Sequence, residues 1–216
     1  MTIKDNNVHT GLREQVLYAI QAVRVGRVGE INVSNQSHNT IAEALHDFVY
    51  SEYVQDMPPL KIDIIYSDGS RSKEFPLHCL PQRGNTPHQA LRNAPSLRVS
   101  LISMRHLEMD ALVDMAWLLN SDVAHSLKTG PDGKKLATVE MFSYQQTLQQ
   151  LQTLLTSGSL KIHLFQTGFQ PVVIGFYRAL IEVLREYITR EPVLEVTPYY
   201  FIRAKGRYGP GPRSWH

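Results

Sequence analysis

From Leu97 to Phe201 the chain alternates short segments of period two with longer stripes of period 3.6. That pattern restricts the folds open to it, because strand–helix alternation is how β–α–β connections read in sequence. Leu97, Val99 and Leu101 alternate with Arg98 and Ser100, and Leu160, Ile162 and Leu164 alternate with Lys161 and His163. Both read as strands, as does Val193 to Phe201. Between them the spacing of Leu107, Ala111, Met115, Leu118 and Leu119 predicts a helix over 107–120. The turn Thr129-Gly-Pro-Asp-Gly133 then leads to a strand expected over Leu136–Phe142. Ser143-Tyr-Gln-Gln146 resembles a capping box opening a helix through Leu148, Leu151 and Leu155, closed by Ser157-Gly-Ser159. Pro171 suits the first turn of a helix carrying Val173, Tyr177, Leu180, Ile181 and Leu184.

Before Leu97, the residues Leu12, Val16, Ala19, Ile20 and Val23 form a helical stripe that Gly26 can end. Val28–Val33 reads as a short strand. Thr40-Ile-Ala-Glu43 is a capping box, and Ile41, Ala44, Leu45, Phe48 and Val49 make residues 40–53 an amphipathic helix stopped by Met57-Pro-Pro59. Ile62, Ile64 and Tyr66, the turn Ser67-Asp-Gly-Ser70, and Phe75 and Leu77 describe a β-hairpin. Residues 80–96 are loop-like and mark a subdomain break within one domain expected over residues 1–201.

The strands keep a polar face, whereas a parallel sheet covered on both sides reads as continuous apolar runs. With hairpin turns at Asp68-Gly69 and Pro131-Asp132-Gly133, the expectation is an α+β fold with a mixed, mainly antiparallel sheet and amphipathic helices packed on it. A Rossmann-like three-layer α/β sheet is the alternative.

A chain of 216 residues with 43% hydrophobic and 19% charged residues has the composition of a soluble globular protein. Cys79 is the single cysteine, which excludes an intramolecular disulfide and points to a reducing, cytoplasmic setting. The start, Met-Thr-Ile-Lys-Asp-Asn-Asn, lacks the apolar core of a signal peptide, and no apolar run has the length of a membrane span.

Chemistry-bearing motifs are sparse. The turn Phe165-Gln-Thr-Gly-Phe-Gln-Pro171 leads from a strand into a helix, where backbone amides and the dipole favour an anion. Thr167, Gly168, Gln170 and Arg178 are its ligand-binding candidates, for a nucleotide or phosphorylated metabolite. No phosphate-loop fingerprint accompanies them, and a capped strand-to-helix turn is the plainer account. His78-Cys79 has His88, His106 and His163 elsewhere in the chain, without the spacing of a metal site or a nucleophile–base pair. Glu108 and Asp110, after Arg105 and His106, suit the first turn of a helix, and Glu182 sits between Arg178 and Arg185 at helical spacing. No catalytic residue, metal site or cofactor is assigned.

The last segment, Val196 to His216, has no carboxylate but carries Arg203, Lys205, Arg207 and Arg213, interleaved with Tyr199, Tyr200, Phe201, Tyr208 and Trp215. The net charge of the whole chain is only +2, so the basicity is local to this end. Gly206-Arg-Tyr-Gly-Pro-Gly-Pro212 is expected to break regular structure, making 202–216 an irregular tail. Arginine pairs with phosphate and aromatic rings stack on bases. Arg203, Lys205, Arg207, Arg213, Tyr208 and Trp215 are therefore the polyanion-binding candidates. The function expected is that of a non-enzymatic binding or assembly protein, a homo-oligomer contacting RNA, another polyanion or a protein through this tail. Accessory proteins of viruses and mobile elements belong to that class.

Overall fold

A computed structural model describes residues 11–49, 60–77, 89–102, 112–118, 135–166, 170–187, 191–202 and 205–210. Four helices and two mixed sheets make an α+β fold. In chain order the elements are α1 (Gly11–Arg24), β1 (Gly29–Asn32), α2 (His38–Val49), β2 (Leu60–Ile65) and β3 (Arg71–Leu77). A 3₁₀ turn at Gln89–Leu91 precedes β4 (Ser96–Ile102), β5 (Met115–Leu118), α3 (Leu136–Leu155) and β6 (Leu160–Phe165). Then come α4 (Gln170–Glu186), β7 (Leu194–Ile202) and β8 (Arg207–Pro210).

The small sheet has the order β1-β2-β3 and the large one β5-β4-β6-β7-β8. Antiparallel pairing occurs in the β2–β3 hairpin and at β7–β8. The other pairs, β1–β2, β4–β5, β4–β6 and β6–β7, are parallel. Polar alternation had suggested more antiparallel pairing, but a strand covered on one face alternates whichever way its neighbour runs. Here α3 and α4 touch both sheets, and α1 packs on the small one. On one side Trp117 of β5 meets Phe176 of α4, with ring centroids 5.5 Å apart. On the other, Arg178 of α4 reaches the Lys73 and Glu74 carbonyls of β3. The parallel run β5-β4-β6-β7 is the part of the fold that the Rossmann-like alternative describes.

α4 is the centre of the molecule. Every residue from Pro171 to Ile181 is buried, so this helix is apolar almost all round, as a helix enclosed by other layers must be. It touches α3 at Gly175, where an added Cβ would lie 2.4 Å from the Glu140 carbonyl oxygen. The buried side chains of both sheets and all four helices form one continuous cluster.

Several local expectations change. Residues 136–142 are the first turns of α3 and not a strand, because the helix is capped from elsewhere in the chain. The Asp68 carboxylate accepts the Leu136 amide at 2.7 Å, and Ser70 Oγ accepts the Ala137 amide at 3.1 Å. Ser143 consequently lies inside α3 and caps nothing; its hydroxyl donates to the Val172 carbonyl on α4 at 2.8 Å. Within the range predicted as helix 107–120, Met115–Leu118 is strand β5, held beside β4 by Asp114, which accepts the Arg98 amide at 2.7 Å. α2 begins at His38, two residues before Thr40, with Ser37 Oγ accepting the Thr40 amide at 3.1 Å. The hairpin turn matches expectation: Gly69 has φ +74°, and Asp68 accepts both the amide and the hydroxyl of Ser70. No described helix is long and apolar enough to cross a membrane.

Candidate functional site

Parallel register decides which side chains share a face. Val99, Leu101 and Trp117 point towards α4 together with Ile162, Leu164 and Val196. The intervening residues Arg98, His163, Phe165, Thr197 and Tyr199 therefore lie on the other, outer face of the large sheet, which is exposed at Arg98 but buried at Ser100, Ile102 and Phe165. On β8, Tyr208 pairs with Phe201, two residues beyond Tyr199 on the same face.

The outcome is a row of rings across three strands. His163 stacks on Tyr199 at 5.4 Å, and Tyr199 stacks on Phe165 at 5.0 Å with an interplanar angle of 18°. Tyr208 stands edge-on to Phe165 at 5.5 Å and tilts against Phe201 at 5.3 Å. His163 Nδ1 and the Tyr199 hydroxyl are 3.0 Å apart and share a hydrogen bond. Phe165 is buried beneath its neighbours, His163, Tyr199 and Tyr208 are half-buried, and Phe201 is 42% exposed. These centroid separations are those of favourable aromatic pairs, so the rings hold one another in place.

Charge on this face is unevenly distributed. Arg98 is bound to Asp114, with Nη2 donating to Oδ1 at 2.8 Å. The hydrogen bonds from the Arg98 side chain and amide hold the Asp114 carboxyl below its ordinary range. Lys161 and Glu195 are register partners on β6 and β7. At the β7–β8 turn, Lys205 and Arg207 are exposed and make no ion pair with another described residue. Arg207 pairs with Ile202 and so lies on the face away from Tyr208, which leaves Lys205, in the turn, as the described cation bordering the end of the ring row.

Residues 205–210 of the stretch read as an irregular tail are part of this hairpin. Gly206 takes φ +57° in the turn, and residues 207–210 pair with β7 as an edge strand. Pro210 sits at the end of β8, where a missing amide disrupts no interior ladder. Of the polyanion candidates, Tyr208 belongs to this face, Lys205 lies in the turn beside it, and Arg207, the register partner of Ile202, lies on the opposite face; Arg203, Arg213 and Trp215 lie outside the described residues. His163 and Phe165 are the site members that sequence reading did not assign. Their signal was the period-two placement of His163 and Phe165 against Tyr199 and Phe201, which needs the β6–β7 register to become a surface.

Two of the four ligand candidates near the 165–171 turn, Gln170 and Arg178, are described. Thr167 and Gly168 lie outside the described residues. Gln170 donates its side-chain amide to the Gln36 carbonyl, tying α4 to the loop before α2. The Arg178 side chain is buried and engaged with α3 and β3. Its Nε donates to Glu140 Oε1 at 2.9 Å, and its Nη2 donates to Ser72 Oγ at 2.8 Å and the Lys73 carbonyl at 3.1 Å. The guanidinium also lies over the Phe75 and Tyr144 rings.

Glu140 is fully buried and additionally accepts Tyr66 Oη at 2.5 Å and Ser72 Oγ at 2.7 Å. Burial first, and then the adjacent Glu140 charge, push the Tyr66 phenol well above its ordinary pKa. This cluster joins β2, β3, α3 and α4, and the sequence had shown no partner for Arg178 other than Glu182. Glu182 instead accepts the Tyr144 hydroxyl at 2.7 Å; burial and that bond push Tyr144 up to about 12.

His78, Cys79, His88, Arg105, His106, Glu108 and Asp110 lie outside the described residues. Among those described, no group of three or more His, Cys, Asp or Glu side chains is placed to hold a metal ion. No protein-family model matches this chain, and no curated protein or solved structure matches it.

Proposed function

We propose that this is a non-enzymatic binding and assembly protein that holds an anionic partner against the β7–β8 hairpin and the sheet face beside it. The observation carrying the reading is the exposed Lys205–Arg207 turn adjoining a prearranged row of aromatic rings. Cations at the turn attract a polyanion by releasing its counterions, and the rings supply contact area that costs little to order. Arg203 and Arg213 belong to the same chain segment and add to its charge. The test is a salt titration of polyuridylate binding by the wild type and by the double variant Lys205→Glu/Arg207→Glu. Each lost phosphate contact lowers the slope of log K against log salt by about 0.7, so the variant's slope falls by roughly 1.4. An unchanged slope and affinity would remove the hairpin from the account.

Self-association belongs to the same reading. Leu17, Tyr18, Val25 and Val28, on and just past α1, are 50–69% exposed, and exposed apolar side chains close in sequence offer a contact between copies. Sedimentation equilibrium tests it: a monomer at every concentration rejects assembly.

A second reading, a small-ligand protein, has one observation in its favour. β5 and β6 flank β4 in a parallel sheet, so the order reverses at β4, and in such sheets ligands bind beyond the carboxyl ends of strands at that point. Gln166, at the end of β6, is buried with its Oε1 unpartnered. A nucleotide panel that raises the melting temperature of the wild type but not of Gly168→Val would favour this reading over polyanion binding.

A further inference from the structure

We infer that the outer face of β6, β7 and β8 binds single-stranded nucleic acid by stacking unpaired bases on its rings. The inference rests on the proposed function only in taking the partner to be anionic; the rings themselves name its class. A bare polyanion such as polyphosphate has nothing to place on Tyr199, Tyr208 or Phe201. An unpaired nucleotide has both a phosphate for Lys205 in the adjoining turn and a flat π-face for the rings.

Geometry favours this partner over a duplex. The rings come from neighbouring strands of a sheet, and strands lie about 4.7–4.9 Å apart. They form a row across the sheet, from His163 and Phe165 on β6 through Tyr199 and Phe201 on β7 to Tyr208 on β8. In a duplex each base face is already stacked, so such a row meets only the phosphate backbone. Phe165 is the buried floor that fixes the Tyr199 and Tyr208 rings, while Phe201 is the most exposed of the set. Preorganised rings lose little freedom on binding. Among the described residues of this face, Asp114 is held by Arg98, and Glu195 is the register partner of Lys161.

The experiment measures fluorescence anisotropy of the full chain with a labelled oligouridylate, an oligodeoxythymidylate and a duplex of equal length, with inorganic polyphosphate as competitor. Single strands are expected to bind at least about tenfold more tightly than duplex. Whichever single strand binds more tightly identifies RNA or DNA as the source. Phe201→Ala removes one stacking platform and is expected to weaken single-strand binding by about 5- to 100-fold, with polyphosphate binding unchanged. Phe201→Trp restores the affinity, and the exposure of residue 201 keeps both variants folded, which circular dichroism verifies. Equal affinity for single strand and duplex, or a Phe201→Ala loss that falls equally on polyphosphate, overturns the stacking inference while leaving the polyanion reading intact. A protein that binds neither polyphosphate nor single strands overturns both.

Discussion

Replacing Arg178 by Met removes the one cation that faces Glu140 while keeping most of the side-chain volume. Glu140 has no solvent exposure, so its carboxylate cannot turn to water. It would keep Tyr66 Oη at 2.5 Å and Ser72 Oγ at 2.7 Å as donors but lose its counter-charge. The Lys73 and Glu74 carbonyls would lose their guanidinium donor as well. Breaking a buried pair from one side costs about 3–5 kcal/mol. That is a large part of the roughly 5–15 kcal/mol that holds a typical domain together. For a chain of this size it corresponds to a fall in Tm of about 6–20 °C. The discriminating variant is the double Arg178→Met/Glu140→Gln, in which a neutral amide still accepts from Tyr66 or Ser72 and needs no cation. It is expected to recover about 2 kcal/mol of the loss. Urea unfolding at neutral pH measures both, with the m-value checking that the unfolded surface is unchanged. A double variant no more stable than the single one would refute the claim that an unpaired buried charge is what the single variant suffers from.

Three further outcomes follow from the packing. Gly175→Ala forces a methyl group to within 2.4 Å of the Glu140 carbonyl oxygen, and overpacking of that kind costs about 1–3 kcal/mol, read by the same unfolding assay. Asp68→Ala removes the cap on α3 and lowers stability at neutral pH by about 1 kcal/mol. Partial burial works to raise the Asp68 pKa, but hydrogen bonds from Ser70 and the Leu136 amide outweigh it and lower the value. Its contribution is therefore complete above the unfolded value of about 3.9 and disappears as pH falls through the lower folded value. The Tm difference between wild type and Asp68→Ala should accordingly shrink at low pH, and a difference that grows there contradicts the assignment. Tyr66 and Tyr144 both have raised pKa values, so Tyr66→Phe and Tyr144→Phe should leave the phenolate titration of the folded protein unchanged up to about pH 11.

The sequence made some of this fold plain and hid other parts for identifiable reasons. Asp68-Gly69 marked the β2–β3 turn, and the alternation through Leu160, Ile162 and Leu164 marked β6, because both signals are local. The start of α3 was not legible: its cap comes from residues 68 positions away in the chain, so Val139 and Phe142 read as strand formers. Met115 and Leu118 fit a helical stripe equally well, and only pairing with β4 makes them strand. Gly206 and Pro210 suggested an unstructured end, yet a sheet edge tolerates a glycine turn and a terminal proline. Arg178 looked like a solvated or ligand-facing cation because Glu140 lies 38 residues before it. The basic, aromatic chemistry of the C-terminal segment was legible as composition. Its continuation onto His163 and Phe165 required the strand register.

Photocrosslinking with an oligonucleotide carrying 4-thiouridine, mapped by mass spectrometry of the cross-linked peptides, tests the central claim most directly. The account predicts adducts on Tyr199, Phe201 and Tyr208, with His163 next. Adducts confined to the outer face of β1–β3, or scattered without preference, would contradict it.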